Sequence, residues 1–313
     1  MIINTGQRTD IPAFYAEWFA NRLKAGSVCV RNPFDPQQVS RYRLDPEVVD
    51  VIAFCSKNPA PMLAYMDLLK EYAQYWHVTI TPYGKDLEPN VPEPWQVIRT
   101  FQRISDIVGP KAICWRYDPI LLLEGESGYT VPFHLEAFAR MAAALEGYTD
   151  TVVISFLDMY QKVTRNFPEA RPVPRPARVE LAQKIIEMAG EHGMAVRPCG
   201  EGSWMEPLGA DCSGCNTIRM YEQAIGKRLR VPRFQPAREQ CACYLSCDIG
   251  AYDSCPHLCR YCYANSDAER VRIQRSQHDP HSPFLIGGPL PSDRITDAVQ
   301  ESWVDPQISL FDL

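Results

Sequence analysis

Cys255, Cys259 and Cys262 lie in YDSCPHLCRYCYAN (252–265) at C-x3-C-x2-C spacing. Three thiolates on one short loop suit three corners of a [4Fe–4S] cube and leave one iron open to a further ligand. An open iron can bind a small molecule and pass it an electron. A structural zinc site instead takes four ligands, commonly as two close pairs. DCSGC (211–215) and CAC (241–243) supply such pairs. Cys212, Cys215, Cys241 and Cys243, together with Cys199, are therefore candidate ligands of a second Fe–S cluster or of zinc, with Cys247 nearby. The alternatives are buried unliganded thiols, or one of this set capping the fourth iron of the first cluster. His257 reads as a loop residue rather than a ligand.

The compartment bears on that reading. No apolar run reaches the ~18 residues needed to span a bilayer, and MIINTGQRTD lacks the basic-then-apolar form of a signal peptide. The cytoplasm is expected, where clustered thiols more often serve metals or catalysis than disulfides. Nine of the twelve cysteines fall between residues 199 and 262; Cys29, Cys55 and Cys114 sit in apolar runs and read as small buried hydrophobes. With 313 residues, 46% apolar and 22% charged, the chain can bury a substantial core and is not globally disordered. A net charge of −6 argues against tight nonspecific binding of nucleic acid. Two stretches are locally basic: 161–178, with Lys162, Arg165, Arg171, Arg175 and Arg178, and 216–240, with Arg219, Lys227, Arg228, Arg230, Arg233 and Arg238.

Up to about residue 200, short apolar runs alternate with amphipathic segments. MIIN precedes a helix from Ile11 that closes at Gly26; VVDVIAFCS precedes PMLAYMDLLKEYAQYW, read as a helix; HVTITP precedes EPWQVIRTFQRISDIVG. AICWRYD, DTVVISF and MAVRPC are further strands, the first two followed by helical FHLEAFARMAAALEG and ARVELAQKIIEMAGEHG. VCVRNPFDPQQVSRYRL (28–44) reads as an inserted hairpin. Apolar strands alternating with helices predict an α/β fold with a parallel sheet. No glycine-rich phosphate loop follows any strand, so a (βα)6 partial TIM-type barrel is favoured over a doubly wound sheet. The predicted organisation is a barrel over 1–200, a cysteine-rich cluster-binding segment over 201–276, and an extended tail over 277–313.

Ligands in such folds gather at the C-terminal ends of the strands. The residues there are polar: Gln7, Arg8 and Asp10; Ser56, Lys57 and Asn58; Thr81 and Tyr83; Arg116, Tyr117 and Asp118; Ser155 and Asp158; Cys199 and Glu201.

C-x3-C-x-aromatic-C, with Tyr261 as the aromatic, resembles the motif of the radical S-adenosylmethionine (radical SAM) superfamily. That resemblance implies a [4Fe–4S] cluster on Cys255, Cys259 and Cys262, with the open iron chelating SAM and reduction releasing a deoxyadenosyl radical. It also implies a (βα)6 partial barrel and Tyr261 beside the adenine. On this reading Asn4, Arg8 and Glu201 are further SAM-binding candidates, and Lys57, Arg116, Asp118 and Asp158 are the catalytic ones. An electron donor such as flavodoxin or ferredoxin would be required. The whole chain resembles an uncharacterised bacterial family with a C-terminal cysteine cluster, through INTGQRTDIPAFY, FCSKNP and CAC…DIGAYDSCPHLCRYCYAN. Superfamily members carry their cysteines after the first strand, where this chain has TGQRTDIP, and no Gly-Gly-Glu follows its second strand.

QISLFDL closes the sequence, and Gln307, Ile308, Ser309, Leu310 and Phe311 resemble the peptide by which bacterial repair proteins dock on the DNA sliding clamp. That points to nucleic-acid repair or modification, as in spore photoproduct lyases. The alternatives are a non-SAM Fe–S electron-transfer or clamp-associated protein, and a zinc-stapled barrel hydrolase.

Overall fold

The computed structural model describes every residue except 124, 126, 127, 233–240, 242, 245, 246 and 307–313. The strands among the described residues, in chain order, are β1 (Ile2–Asn4), β2 (Ser27–Arg31), β3 (Gln38–Arg43), β4 (Val51–Ser56), β5 (Gln74–Thr79), β6 (Ile113–Ile120), β7 (Thr151–Phe156), β8 (Ala195–Pro198), β9 (Cys247–Asp248) and β10 (Arg294–Asp297). Seven of them form one all-parallel sheet in the order β8-β7-β6-β5-β4-β1-β9. Six strands, β1, β4, β5, β6, β7 and β8, lie side by side in chain order, and β9 alone returns to the far side of β1. The sheet is open, with β8 and β9 at its edges. The predicted α/β class and parallel sheet hold, and among the described residues the sheet does not close on itself.

The inserted hairpin is present as antiparallel β2 and β3, joined by β10 alongside β3. Helices Ala16–Ala25, Pro94–Val108, Val131–Leu145 and Arg175–Glu191 cover one face of the large sheet. Phe54 stacks on Trp76 at 4.0 Å, and Trp115 on Phe138 at 4.8 Å, within that core. Residues 61–76, read as a helix, instead contribute to two 3₁₀ turns, Ala60–Tyr65 and Leu68–Glu71, and to the start of β5. Pro59 and Pro61 supply no backbone N–H at the start of this stretch, and the chain is extended again from Gln74.

The other face of the sheet carries the site. Because side chains alternate along a strand, the parallel register puts Ile2, Val51, Ala53, Tyr75, Cys114 and Val153 on that face, packed against Met220, Tyr221, Leu229 and Tyr244 of the later segment. Moving toward the C-terminal ends, the same face turns polar: Asn4, Cys55, His77, Thr79, Arg116, Asp118 and Ser155.

Candidate functional site: a cavity walled by two groups of cysteines

These polar strand ends floor a cavity of about 530 Å³, closed by the cysteine-rich segment. From the N-terminal half come Asn4, Gln7, Arg8, Asp10, Cys55, Ser56, Lys57, Arg116, Asp118, Ser155 and Asp158; from the later segment come Cys199, Cys215, Cys241, Cys243, Cys255, Cys259, Tyr261 and Cys262.

The loop carrying the three close cysteines is held from several sides. His257 Nε2 meets Asp10 Oδ2 at 2.9 Å, and Asp10 also accepts from Lys57 N at 2.8 Å while capping the helix that starts at Ile11. Asn90 Nδ2 donates to Pro256 O at 2.8 Å, Arg260 N to Leu87 O at 3.0 Å, and Asn265 Nδ2 to Cys255 O at 2.8 Å. Leu258, at φ 56°, takes the left-handed turn between His257 and Cys259 that few side chains adopt. The Ala264 N–H donates to Cys262 Sγ at 3.3 Å, a bond that favours a thiolate there. Burial pushes all three thiols up, with Lys57 opposing this at Cys259 and Cys262. Among the described residues none of the three sulfurs hydrogen-bonds another; their interaction is through charge.

Beside this loop lies a buried network that spacing in the sequence did not reveal. The Glu88 carboxylate, 2% exposed, accepts from Lys57 Nζ at 2.8 Å, from Thr81 Oγ1 at 2.6 Å and from the Tyr261 hydroxyl. Burial opposes the Lys57 ammonium, but Glu88, with Cys259 and Asp118, more than offsets it and the Lys57 pKa ends above its ordinary value. Tyr261 is thereby fixed with its ring on the cavity and Lys57 Nζ 5.6 Å from its centroid. Arg116 pairs with Asp118, and Asp118 also accepts from Ser155.

The second group is tighter. Cys215 Sγ and Cys243 Sγ are 2.9 Å apart, Cys199 is in hydrogen-bonding contact with both, and Cys243 also contacts Cys241. Arg116 Nη1 lies 3.9 Å from Cys215 Sγ. Donation from Cys215 and Cys243, aided by Arg116, holds the Cys199 thiol well below its usual range, while Cys215 and Cys243 are pushed up. His77, also missed from the sequence, lines the cavity; burial drives its pKa down to about 3, so it is neutral there.

Other candidates are placed elsewhere. Cys212 packs on the large core and Cys247 lies in β9, next to the Tyr42 hydroxyl. The Glu201 carboxylate accepts from Phe156 N at 2.9 Å and pairs with Arg178 at 3.3 Å, outside the cavity wall. Cys29 and Cys114 are buried as expected, whereas Cys55 lines the cavity. Much of the basic stretch 161–178 is committed to the fold: Lys162 and Arg165 bond Ala264 O and Ser266 O, and Arg175 lies 4.0 Å from the Trp204 ring centroid. Arg233 and Arg238, and the clamp-like peptide at 307–311, lie outside the described residues. No described helix is long and apolar enough to cross a membrane.

Fold and site together define an α/β protein with a thiol-walled cavity at the C-terminal ends of a parallel sheet. The chain belongs to the family described as domain of unknown function DUF1848, whose model matches residues 2–264. No curated protein matches it in sequence.

Proposed function

We propose that this protein is an iron–sulfur enzyme of radical SAM type, built as a (βα)6-like partial barrel. The observation that carries the reading is the position of Cys255, Cys259 and Cys262: one loop, three thiols, all on the wall of the cavity floored by the polar strand ends. The donor set suits a [4Fe–4S] cluster, since the sulfurs are separate from one another, one already accepts an N–H, and Lys57 offsets negative charge beside them. Cys255, Cys259 and Cys262 would hold such a cluster, which with SAM bound would supply one-electron reductive cleavage chemistry.

The chain's own residues then bind and orient. Asn4 Nδ2 and Gln7 Nε2 are buried donors without a partner, suited to a carboxylate or amide of a bound small molecule. Arg8, held to Gly250 O at 3.3 Å and near Asp248, adds positive charge on the same side. Tyr261 offers a fixed aromatic face for a base. Arg116, Asp118 and Asp158 line the cavity as candidates to position substrate or hold a proton. Nucleic acid as substrate rests on the terminal QISLF peptide alone, and clamp pull-down with and without residues 307–313 tests it.

Anaerobic reconstitution with iron and sulfide, followed by reduction with SAM present, tests the main reading. The expected result is a cluster signal altered by SAM and formation of 5′-deoxyadenosine. A cluster signal indifferent to SAM, with no deoxyadenosine, would favour the electron-transfer alternative.

A further inference from the structure

We propose that Cys199, Cys215, Cys241 and Cys243 form a second centre, a tetrathiolate site for a single zinc ion, independent of the three-cysteine loop. Six cysteines outside that loop were available between 199 and 247, and the fold gathers four of them at one point of the cavity wall. They come from three places: Cys199 just past β8, Cys215 before the helix Ile218–Ile225, and Cys241 and Cys243 from the segment before β9. Cys212 and Cys247 are turned to other surroundings.

Size favours one ion over a cluster. Zinc–sulfur bonds of about 2.3 Å in a tetrahedron place the sulfurs about 3.8 Å apart. A cube-shaped cluster holds its thiolates several ångströms further apart. Cys215 and Cys243 stand at 2.9 Å and Cys199 is in hydrogen-bonding contact with both, a spacing nearer to that around one ion than to that around a cube. As the chain stands, no three of the described Cys, His, Asp or Glu side chains form a group that could hold a metal ion without moving. Cys199, Cys215 and Cys243 are closed on one another as hydrogen-bonded partners with Cys241 against Cys243, and an ion would open the Cys215–Cys243 pair by about 1 Å.

Charge and solvation agree. Four thiolates around a divalent ion carry a net charge of −2, and Arg116 lies against Cys215 to offset it. Binding would release the thiol protons and convert a buried group of competing donors into a satisfied one. It would also tie Cys215, Cys241 and Cys243 to the end of β8, fixing Arg116, and through it Asp118, in the cavity.

The test uses full-length protein purified anaerobically without added metal. One zinc per chain is expected, with four sulfur neighbours by zinc X-ray absorption. The variant C255A/C259A/C262A should lose iron and keep this zinc, which separates the proposal from the fate of the radical SAM reading. C212S and C247S should keep the zinc, and C215S/C243S should lose it. Cobalt exchanged into wild-type protein should give the visible bands of a tetrahedral thiolate site, a readout that stands if a variant fails to fold. Fewer than four sulfurs at zinc, a Cys215–Cys243 disulfide in the purified protein, or a folded zinc-free chain would overturn it.

Discussion

His257 Nε2 and Asp10 Oδ2 lie 2.9 Å apart, joining residues 247 positions distant in the chain. Asp10 is thus the hinge pin of the site: one carboxylate caps the first helix, receives the backbone of Lys57 at the end of β4 and anchors the cysteine loop.

Asp10→Ala should therefore unpin three elements at once. Loss of the cap costs about 1 kcal/mol, and a stranded buried donor costs about 1–3 kcal/mol more. A fall in urea-unfolding stability of at least about 2 kcal/mol is expected, with reduced iron retention after reconstitution. Unchanged stability and iron content would remove Asp10 from this role.

The Lys57–Glu88 pair gives a second prediction, because both charges are buried, with side chains 14% and 3% exposed. Glu88→Ala leaves the Lys57 ammonium uncompensated and should cost about 3–5 kcal/mol. Lys57→Met combined with Glu88→Leu should cost clearly less than Glu88→Ala, since no orphan charge remains. A double-mutant cycle by chemical denaturation reads the coupling directly.

Acid sensitivity should come in part from His134. Its Nε2 lies 2.7 Å from Leu121 O and its Nδ1 2.8 Å from the Tyr117 hydroxyl, an arrangement that suits the neutral ring. Burial holds its pKa down at about 4 against 6.5 unfolded, with the Leu121 bond opposing. Below pH 6.5 the unfolded chain takes up a proton that the folded one refuses, so stability falls as pH drops, until about pH 4. The full loss is about 3 kcal/mol. His134→Gln should flatten the stability profile between pH 4 and 6.5 relative to wild type; parallel profiles would contradict this. Glu201 and Asp248, whose burial raises their pKa values, titrate in both proteins and cancel in the comparison.

Gly6 is required by close approach rather than by a special backbone angle. A Cβ there would run into the carbonyl oxygen and Cβ of Cys55, at the point where the chain leaving β1 crosses the end of β4. Gly6→Ala should cost about 1–3 kcal/mol or shift the cavity floor, seen as a lowered melting temperature and weaker iron retention. A melting temperature equal to wild type would show that the crossing can open.

Much of the scaffold was legible in the residues. Pro94–Val108 follows from apolar residues at helical spacing closed by Gly109, and the hairpin from short β-branched runs flanking a proline-containing turn. The segment 60–71 was not, because its apolar spacing of three and four suits 3₁₀ turns and α-helix alike. In the site, the C-x3-C-x2-C loop announced itself by local spacing. Glu88 and His77 gave no signal, since a lone carboxylate in a turn and a lone imidazole in a strand look ordinary until their partners are known.

The sequence alone determined the parallel α/β alternation, the polar strand ends and the three-thiol loop, because each depends on contacts within a turn or a strand. It could not decide whether the sheet would close, nor which of six further cysteines would meet. Cys212 and Cys215 are three residues apart yet separate, while Cys199 joins Cys243 across 44 positions. Only the packing of the later segment onto one face of the sheet sorts them, because side-chain direction there is set by the surface each residue is pressed against.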